Sequence, residues 1–342
     1  MTEASAIKKN WRDVLAANQR KTMAVISLFL LIYAFLGLLL DFYLNGAFVP
    51  GQFSTVAHAV LTFQVIPTAT ITMIIVAGIS LWITYALHDR LMLLGTEYHE
   101  VTPKSARGFA EQQLYNLVEE LKIAAGLRYM PKVYVINADY MNAFASGYSE
   151  KSAMIVVTRG IMGRLNREEL QAVIAHELSH IRHGDIRLTL TASVLSNLML
   201  VVVDMLFYNM LFRRDDRDRN NNFVIVIILL RYLLPIITVL LMLYLSRTRE
   251  YMADAGSVEL MRDNHPLARA LMKISQDYEG NDSSMRAFAA TPHEDIRRAA
   301  YIFDPFSDGG HPIKSLSTLV STHPALGDRL RALGFRSMSE IG

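Results

Sequence analysis

Four stretches of this chain, residues 23–43, 65–87, 188–212 and 223–245, are almost wholly apolar. Each reaches or approaches the about 20 residues that an α-helix needs to cross the hydrocarbon core of a bilayer. The spacing predicts two transmembrane helical hairpins separated by a long polar block. A hydrophobic share of 52% lies above that of an ordinary soluble domain and agrees with a membrane-embedded chain. The first stretch follows the basic residues Lys8, Lys9, Arg12, Arg20 and Lys21. Its apolar run is too long for a signal peptide and no small-residue cleavage pattern follows, so it reads as a retained anchor.

Orientation follows from where the basic residues fall. The N-terminal arm is basic, whereas the first intervening loop, DFYLNGAFVPGQFSTVAHAV, has neither lysine nor arginine. The N-terminus is therefore expected in the cytoplasm, and the second crossing returns the chain there. The loop RRDDRDRNNN, with four arginines, is expected outside and pulls against this rule. The second hairpin is accordingly expected either to span or to be partly sheltered by the protein. Asp204 and Arg231 lie inside its two segments at comparable depth, roughly 10–14 Å from the outer loop, and are expected to pair.

The polar blocks read as two halves of one domain. The expected organisation is a cytoplasmic arm (1–21), a first hairpin (22–91), a first catalytic half (92–187), a second hairpin (188–246) and a second catalytic half (247–342). In the first half, Leu114, Leu117 and Leu121 recur at helical spacing before Gly126. KVYVIN and SAMIVVT read as short strands of a small sheet. RLNREELQAVIAHELSHIRH opens with Asn166 three residues ahead of Glu169, the spacing of a capping box, and predicts a helix running through both histidines of HELSH. The fold class expected is α+β, mainly α.

In HELSH, His176 and His180 are one helical turn apart and can reach a single ion, while Glu177, rotated about 100° away, can address a water. The chain has no cysteine, so only His, Asp and Glu can hold a transition metal. A third ligand is required. REYMAD, directly after the fourth apolar stretch, puts Glu250 and Asp254 four apart on one helix face. Glu250 can complete a three-ligand site with an open fourth position, and Asp254 can accept the N–H of a metal-bound histidine. Two apolar segments separate the motifs, an even number of crossings, so both halves can meet on one side of a membrane. His183, also on the HELSH face, reads as a helix-end hydrogen bond in preference to a fourth ligand.

HELSH, REYMAD, NAFASG (142–147) ahead of the strand AMIVVT, and THPALGDRL (322–330), in this order and with hairpins between them, resemble the HtpX-type membrane zinc metalloproteases, and more distantly the CAAX prenyl proteases. The resemblance covers nearly the whole chain. It implies a cytoplasmic zincin-like domain holding one zinc ion per subunit through His176, His180 and Glu250, with Glu177 as catalytic base. It further implies His323 as a donor to the developing oxyanion, and a multi-pass protein of the inner membrane. Its substrates would be proteins or peptides, with a role in the quality control of membrane proteins. A peptide would bind as an added strand along SAMIVVT, at Ala153 and Ile155, with Asn142 tethering its backbone. The family commonly has asparagine where this chain has His183.

A zinc endopeptidase acting on membrane proteins is thus the function expected. A channel or carrier would explain the apolar segments and the inner charges but leaves HELSH and REYMAD without a role. A catalytically silent scaffold would typically lack Glu177 or a ligand, and all are present. With a net charge of only +2, bulk electrostatics predict no nucleic-acid partner.

Overall fold

Asp41 stands near the end of a long apolar helix, α1 (Trp11–Leu44), and its carboxylate faces the start of another, α3 (Thr68–Ala86). It accepts the backbone N–H groups of Ala69 and Thr70, both at 2.9 Å, and the Thr70 hydroxyl at 2.7 Å. A helix start has N–H groups with no partner inside the helix, and a carboxylate satisfies them and complements the helix dipole. Gly37 allows the same approach, because a Cβ there would lie 2.4 Å from the Thr70 Cα. Between the two helices the loop carries a short helix, α2 (Phe53–Leu61).

In this computed structural model the described residues are 11–47, 51–212, 222–280, 282–292, 297, 300–305, 324–337 and 340–341. The arm before residue 11, the arginine-rich loop 213–221 and His323 lie outside them. Contacts divide the chain into two units. One comprises residues 20–86 and 190–242, the other 1–19, 87–189 and 243–342.

In the first unit, residues 20–44 and 68–86 are long and apolar enough to cross a membrane. Only 28% and 22% of their apolar windows are buried, unlike the core helices of a soluble protein. The later helices, α8 (Asp185–Phe212) and α9 (Asn222–Met261), are long, but among the described residues their apolar parts are the shorter runs Val194–Met205 and Ile227–Ile237. Two clear spans are therefore present among the described residues where the sequence predicts four. Tyr33 on α1 donates to the Leu195 carbonyl at 2.7 Å, and the Tyr85 and Thr191 hydroxyls are hydrogen-bonded, so both early helices are tied to α8. Asp204 and Arg231 do pair, at 3.2 Å, with the guanidinium also over the Phe207 ring at 3.9 Å.

The second unit holds a four-stranded sheet with helices around it. After α4 (His88–Met92) come β1 (Tyr98–Val101), α5 (Phe109–Ala124), β2 (Lys132–Ile136), β3 (Ala143–Ser146), β4 (Met154–Thr158) and α6 (Arg159–Arg164). The strand order is β1-β2-β4-β3, with β2 and β4 parallel and the two outer pairs antiparallel. β4 is buried at all five positions and flanked by strands on both sides. This corrects the expectation of an open edge at Ala153 and Ile155: Ile155 faces Val133 on one side and Ala145 on the other. The strand next to the candidate site is β3. Its outer edge is bridged by Tyr301 at Phe144, and Ile302 donates to the Ala143 carbonyl at 2.9 Å.

Helix α7 (Arg167–His183) carries HELSH and has firm ends. Asn166 and Glu169 form the reciprocal capping box, each bond 2.9 Å, and Gly184 closes the helix in the left-handed conformation at φ 66°. Glu169, 1% exposed, also binds Lys273 of α10 (His265–Gly280) at 2.8 Å, which ties α10 to the start of α7. The remaining described helices are α11 (Asp282–Ala290) and α12 (Leu326–Ala332).

Candidate active site

The helix period brings His176 and His180 to one face of α7, and α9 continues past its apolar part to present Glu250 and Asp254 to that face. Small residues make the approach possible. A Cβ on Gly256 would stand 2.4 Å from the Ser179 Oγ, and Ser257 donates to the Ala172 carbonyl at 2.8 Å. Two helices this close leave room for one ion between their polar side chains.

Ligand atoms of His176, His180 and Glu250 all lie within 4.8 Å of one another. The two Nε2 atoms are 3.2 Å apart, and each is 3.7 Å from an oxygen of Glu250. Ligands about 2 Å from a tetrahedral ion are separated by roughly 3.3 Å, so the donor set fits zinc. The tautomer fits as well. His176 Nδ1 is 3.0 Å from Asp254 Oδ1, and a carboxylate there requires the proton on Nδ1, which leaves the Nε2 lone pair facing the cluster. His183 is buried at the end of the same helix, beside Gly256, and is not part of the cluster.

Asp254 is in turn held by Arg329 of α12. The guanidinium makes a two-pronged contact, Nε to Oδ2 at 2.9 Å and Nη2 to Oδ1 at 2.6 Å, while Nη1 donates to the Ile302 carbonyl at 2.7 Å and stands 3.8 Å from Glu250 Oε2. Burial alone pushes the Asp254 carboxyl up, but the Arg329 charge and the His176 hydrogen bond outweigh it and hold the group below its ordinary range. His176 is moved down, chiefly by its complete burial, and so favours the neutral ring that binds metals. No local pattern in the sequence marks Arg329 for this role. The available signal was a basic residue inside THPALGDRL, but its partner is 75 positions away.

Glu177 is 1% exposed and faces β3. Burial pushes its carboxyl up to about 8, Glu250 adds to this, and His180 and the Ala145 backbone act in the opposite direction. The proton-exchanging character expected of a base is thus built by its surroundings. Asn142 is placed differently from expectation. Its side chain is buried, donates to the Phe303 carbonyl at 3.0 Å and accepts from the Ala143 N–H at 3.0 Å, so it fastens the fold and leaves nothing exposed to tether a peptide. A cleft of about 250 Å³ adjoins His180, and a larger one of about 390 Å³, lined by Glu97, His99 and Arg107 among others, is remote from the cluster.

Two imidazoles and a carboxylate around one position, with a buried glutamate on the same HELSH helix, define a metal-dependent hydrolase. The description "Peptidase family M48" matches residues 109–336, two thirds of the chain. A "Protease HtpX homolog" of Helicobacter pylori strain J99 is 40% identical over 324 residues, covering 95% of this chain and 98% of that protein. One of Dictyoglomus thermophilum is 34% identical, covering 96% and 95%. A structure titled "Crystal Structure of S. mikatae Ste24p" aligns with TM-score 0.48 and 20% identity, over 83% of this chain and 65% of that one. The chain belongs to peptidase family M48. It is a membrane-embedded, zinc-dependent endopeptidase.

Proposed function

We propose that His176, His180 and Glu250 hold one zinc ion per subunit and that Glu177 is the general base of peptide-bond hydrolysis at the cytoplasmic face of the inner membrane. The observation that carries this reading is the 3.2 Å approach of two imidazole nitrogens whose lone pairs converge on a carboxylate, with the His176 tautomer set by Asp254. When bound there, zinc supplies a Lewis acid that acidifies water and polarises a carbonyl. Glu177 takes the proton of the attacking water and passes it to the departing amine. Asp254 keeps its acceptor on His176 Nδ1, and Arg329 keeps Asp254 ionised and in place. His323 is retained as donor to the oxyanion on the family resemblance. Substrate backbone pairs along β3 beyond the Phe144 bridge, from Ala145 onward.

The second hairpin, 188–246, is read as crossing the membrane with the first. Support comes from the lengths of α8 and α9 and from the buttressing Asp204–Arg231 pair. The clustering of 87–189 with 243–342 supports one catalytic domain interrupted by that hairpin. A cytoplasmic active site follows from the basic N-terminal arm and the even number of crossings. Substrates are membrane proteins, damaged or misfolded ones above all. The deciding measurement is on Glu177→Gln: metal analysis is expected to show parental zinc, and cleavage of a denatured protein to fall by about 10²–10⁴-fold. Cleavage at the parental rate would show that another group is the base.

A further inference from the structure

Between Lys21 and Asp89 the sequence has no Lys, Arg, Asp or Glu except Asp41. Asp41 is 1% exposed, and its carboxylate is engaged by the start of α3. The connection from α1 to α3 is therefore an uncharged loop, yet it does not hide its apolar side chains. Phe53, Leu61, Phe63 and Ile66 are 56%, 61%, 73% and 64% exposed. A run of large exposed apolar side chains with no charge among them is what a surface facing water avoids and a surface facing lipid requires.

The geometry holds this patch at the end of the two apolar spans. Phe53, the first residue of α2, meets the ring of Phe42 edge-on, with centroids 6.0 Å apart. Phe42 lies inside the span 20–44, so α2 begins at the level where the chain leaves the apolar layer. Ile66 stands two residues before α3, which is the other span. The turn between them folds back on α2: the Phe63 N–H donates to the Val60 carbonyl at 3.2 Å and the Val65 N–H to the Ala59 carbonyl at 3.1 Å. By the helix period Phe53, Ala57 and Leu61 share one face of α2, and Ser54 and His58 lie on the next, where Thr62 continues the row. Val60 is buried, so the helix has an inner contact as well as an apolar margin left outside. Phe63 is held at φ 57°, a left-handed conformation usual for glycine or asparagine and rare for a bulky residue. At 73% exposure its ring gains little from the chain in return, which points to a partner outside it.

We propose that α2 and the turn after it form an interfacial wedge, with Phe53, Leu61, Phe63 and Ile66 inserted among phospholipids at the boundary of headgroups and acyl chains. The partner is the bilayer surface at this end of the spans. The wedge has no cation, so it binds by apolar insertion alone and is indifferent to lipid charge and to salt. It adds a third point of membrane contact to α1 and α3 and is independent of the hydrolytic site.

The test uses the full-length protein in phosphatidylcholine vesicles, with a fluorescent probe on Leu61→Cys or Phe63→Cys and on Ser54→Cys and Arg128→Cys for comparison; the parent has no cysteine to interfere. Nitroxide-bearing lipids are expected to quench the probes at 61 and 63 and to place them about 5–10 Å below the headgroup surface. Iodide is expected to quench these two several-fold less than the probe at 128, with the probe at 54 in between. Adding anionic lipid or raising the salt is expected to leave this order unchanged. Ile66→Cys gives the same reading from outside α2 should either of the first two variants fail to fold. Iodide access at 61, 63 and 66 equal to that at 128 would overturn the proposal. So would shielding that appears only with anionic lipid, and so would shielding that is lost when the protein is diluted in lipid, since the patch would then be covered by a second copy of the chain.

Discussion

At the scale of single residues, the site depends on a buried relay from Arg329 through Asp254 to His176. The three links act differently: a charge keeps a carboxylate ionised, that carboxylate keeps a proton on Nδ1, and the ring's other nitrogen faces the cluster. Asp254→Asn keeps the shape and removes the charge. It is expected to cost about 1–3 kcal/mol by removing the charged partner of the two-pronged Arg329 contact, with Glu250 at 3.8 Å the nearest remaining carboxylate. The loss of the second partner of the metal-binding histidine should also weaken zinc affinity by about 10–100-fold. Chelator competition and denaturant unfolding measure these separately, and an unchanged zinc affinity would take Asp254 out of the site. The sequence made Asp254 legible because it lies four residues from Glu250. Arg329 was not legible, because nothing local links it to either.

At the scale of elements, the decisive contact is the close crossing of α7 and α9. Gly256 stands where Ser179 leaves no space for a Cβ, and the Ser179 hydroxyl is itself engaged by the Ala175 carbonyl at 2.8 Å. Gly256→Ala is expected to lower stability by about 1–3 kcal/mol through overpacking and to reduce zinc retention, because the helices must part. A variant with parental melting temperature and zinc content would show that the crossing tolerates more distance than the packing indicates. The sheet teaches a related point. SAMIVVT has the β-branched run of a strand, yet that run is equally compatible with an edge and a centre, and pairing partners chose the centre. The strand that does face the site, Ala143–Ser146, is short and made of small residues and one phenylalanine. It shows no period by which to recognise it.

At the scale of the whole molecule, the ligands come from two segments separated by the hairpin residues, so a bound ion cross-links distant parts of the chain. Removal of zinc with a chelator is expected to lower the melting temperature of the catalytic unit, and re-addition to restore it. Identical melting with and without chelator, in a preparation shown to contain zinc, would contradict a site shared by α7 and α9. The absence of cysteine makes topology directly measurable. Single cysteines placed at Arg128 and Arg336, both on exposed turns, are expected to react with an impermeant maleimide only from the cytoplasmic side. Labelling of either from the opposite side would overturn the proposed orientation.

Everything carried by local spacing can be read along the chain. The HELSH helix with its capping box, the early apolar helices, the three candidate ligands and the pairing of Asp204 with Arg231 all follow from period, length or charge along the chain. Everything that depends on which surfaces meet is set by packing in three dimensions. That includes β4 at the centre of the sheet, Asn142 inside the fold and the Arg329 clamp. Periodicity tells a residue which way it faces on its own element, whereas its neighbours across space are set by packing between elements far apart in the chain.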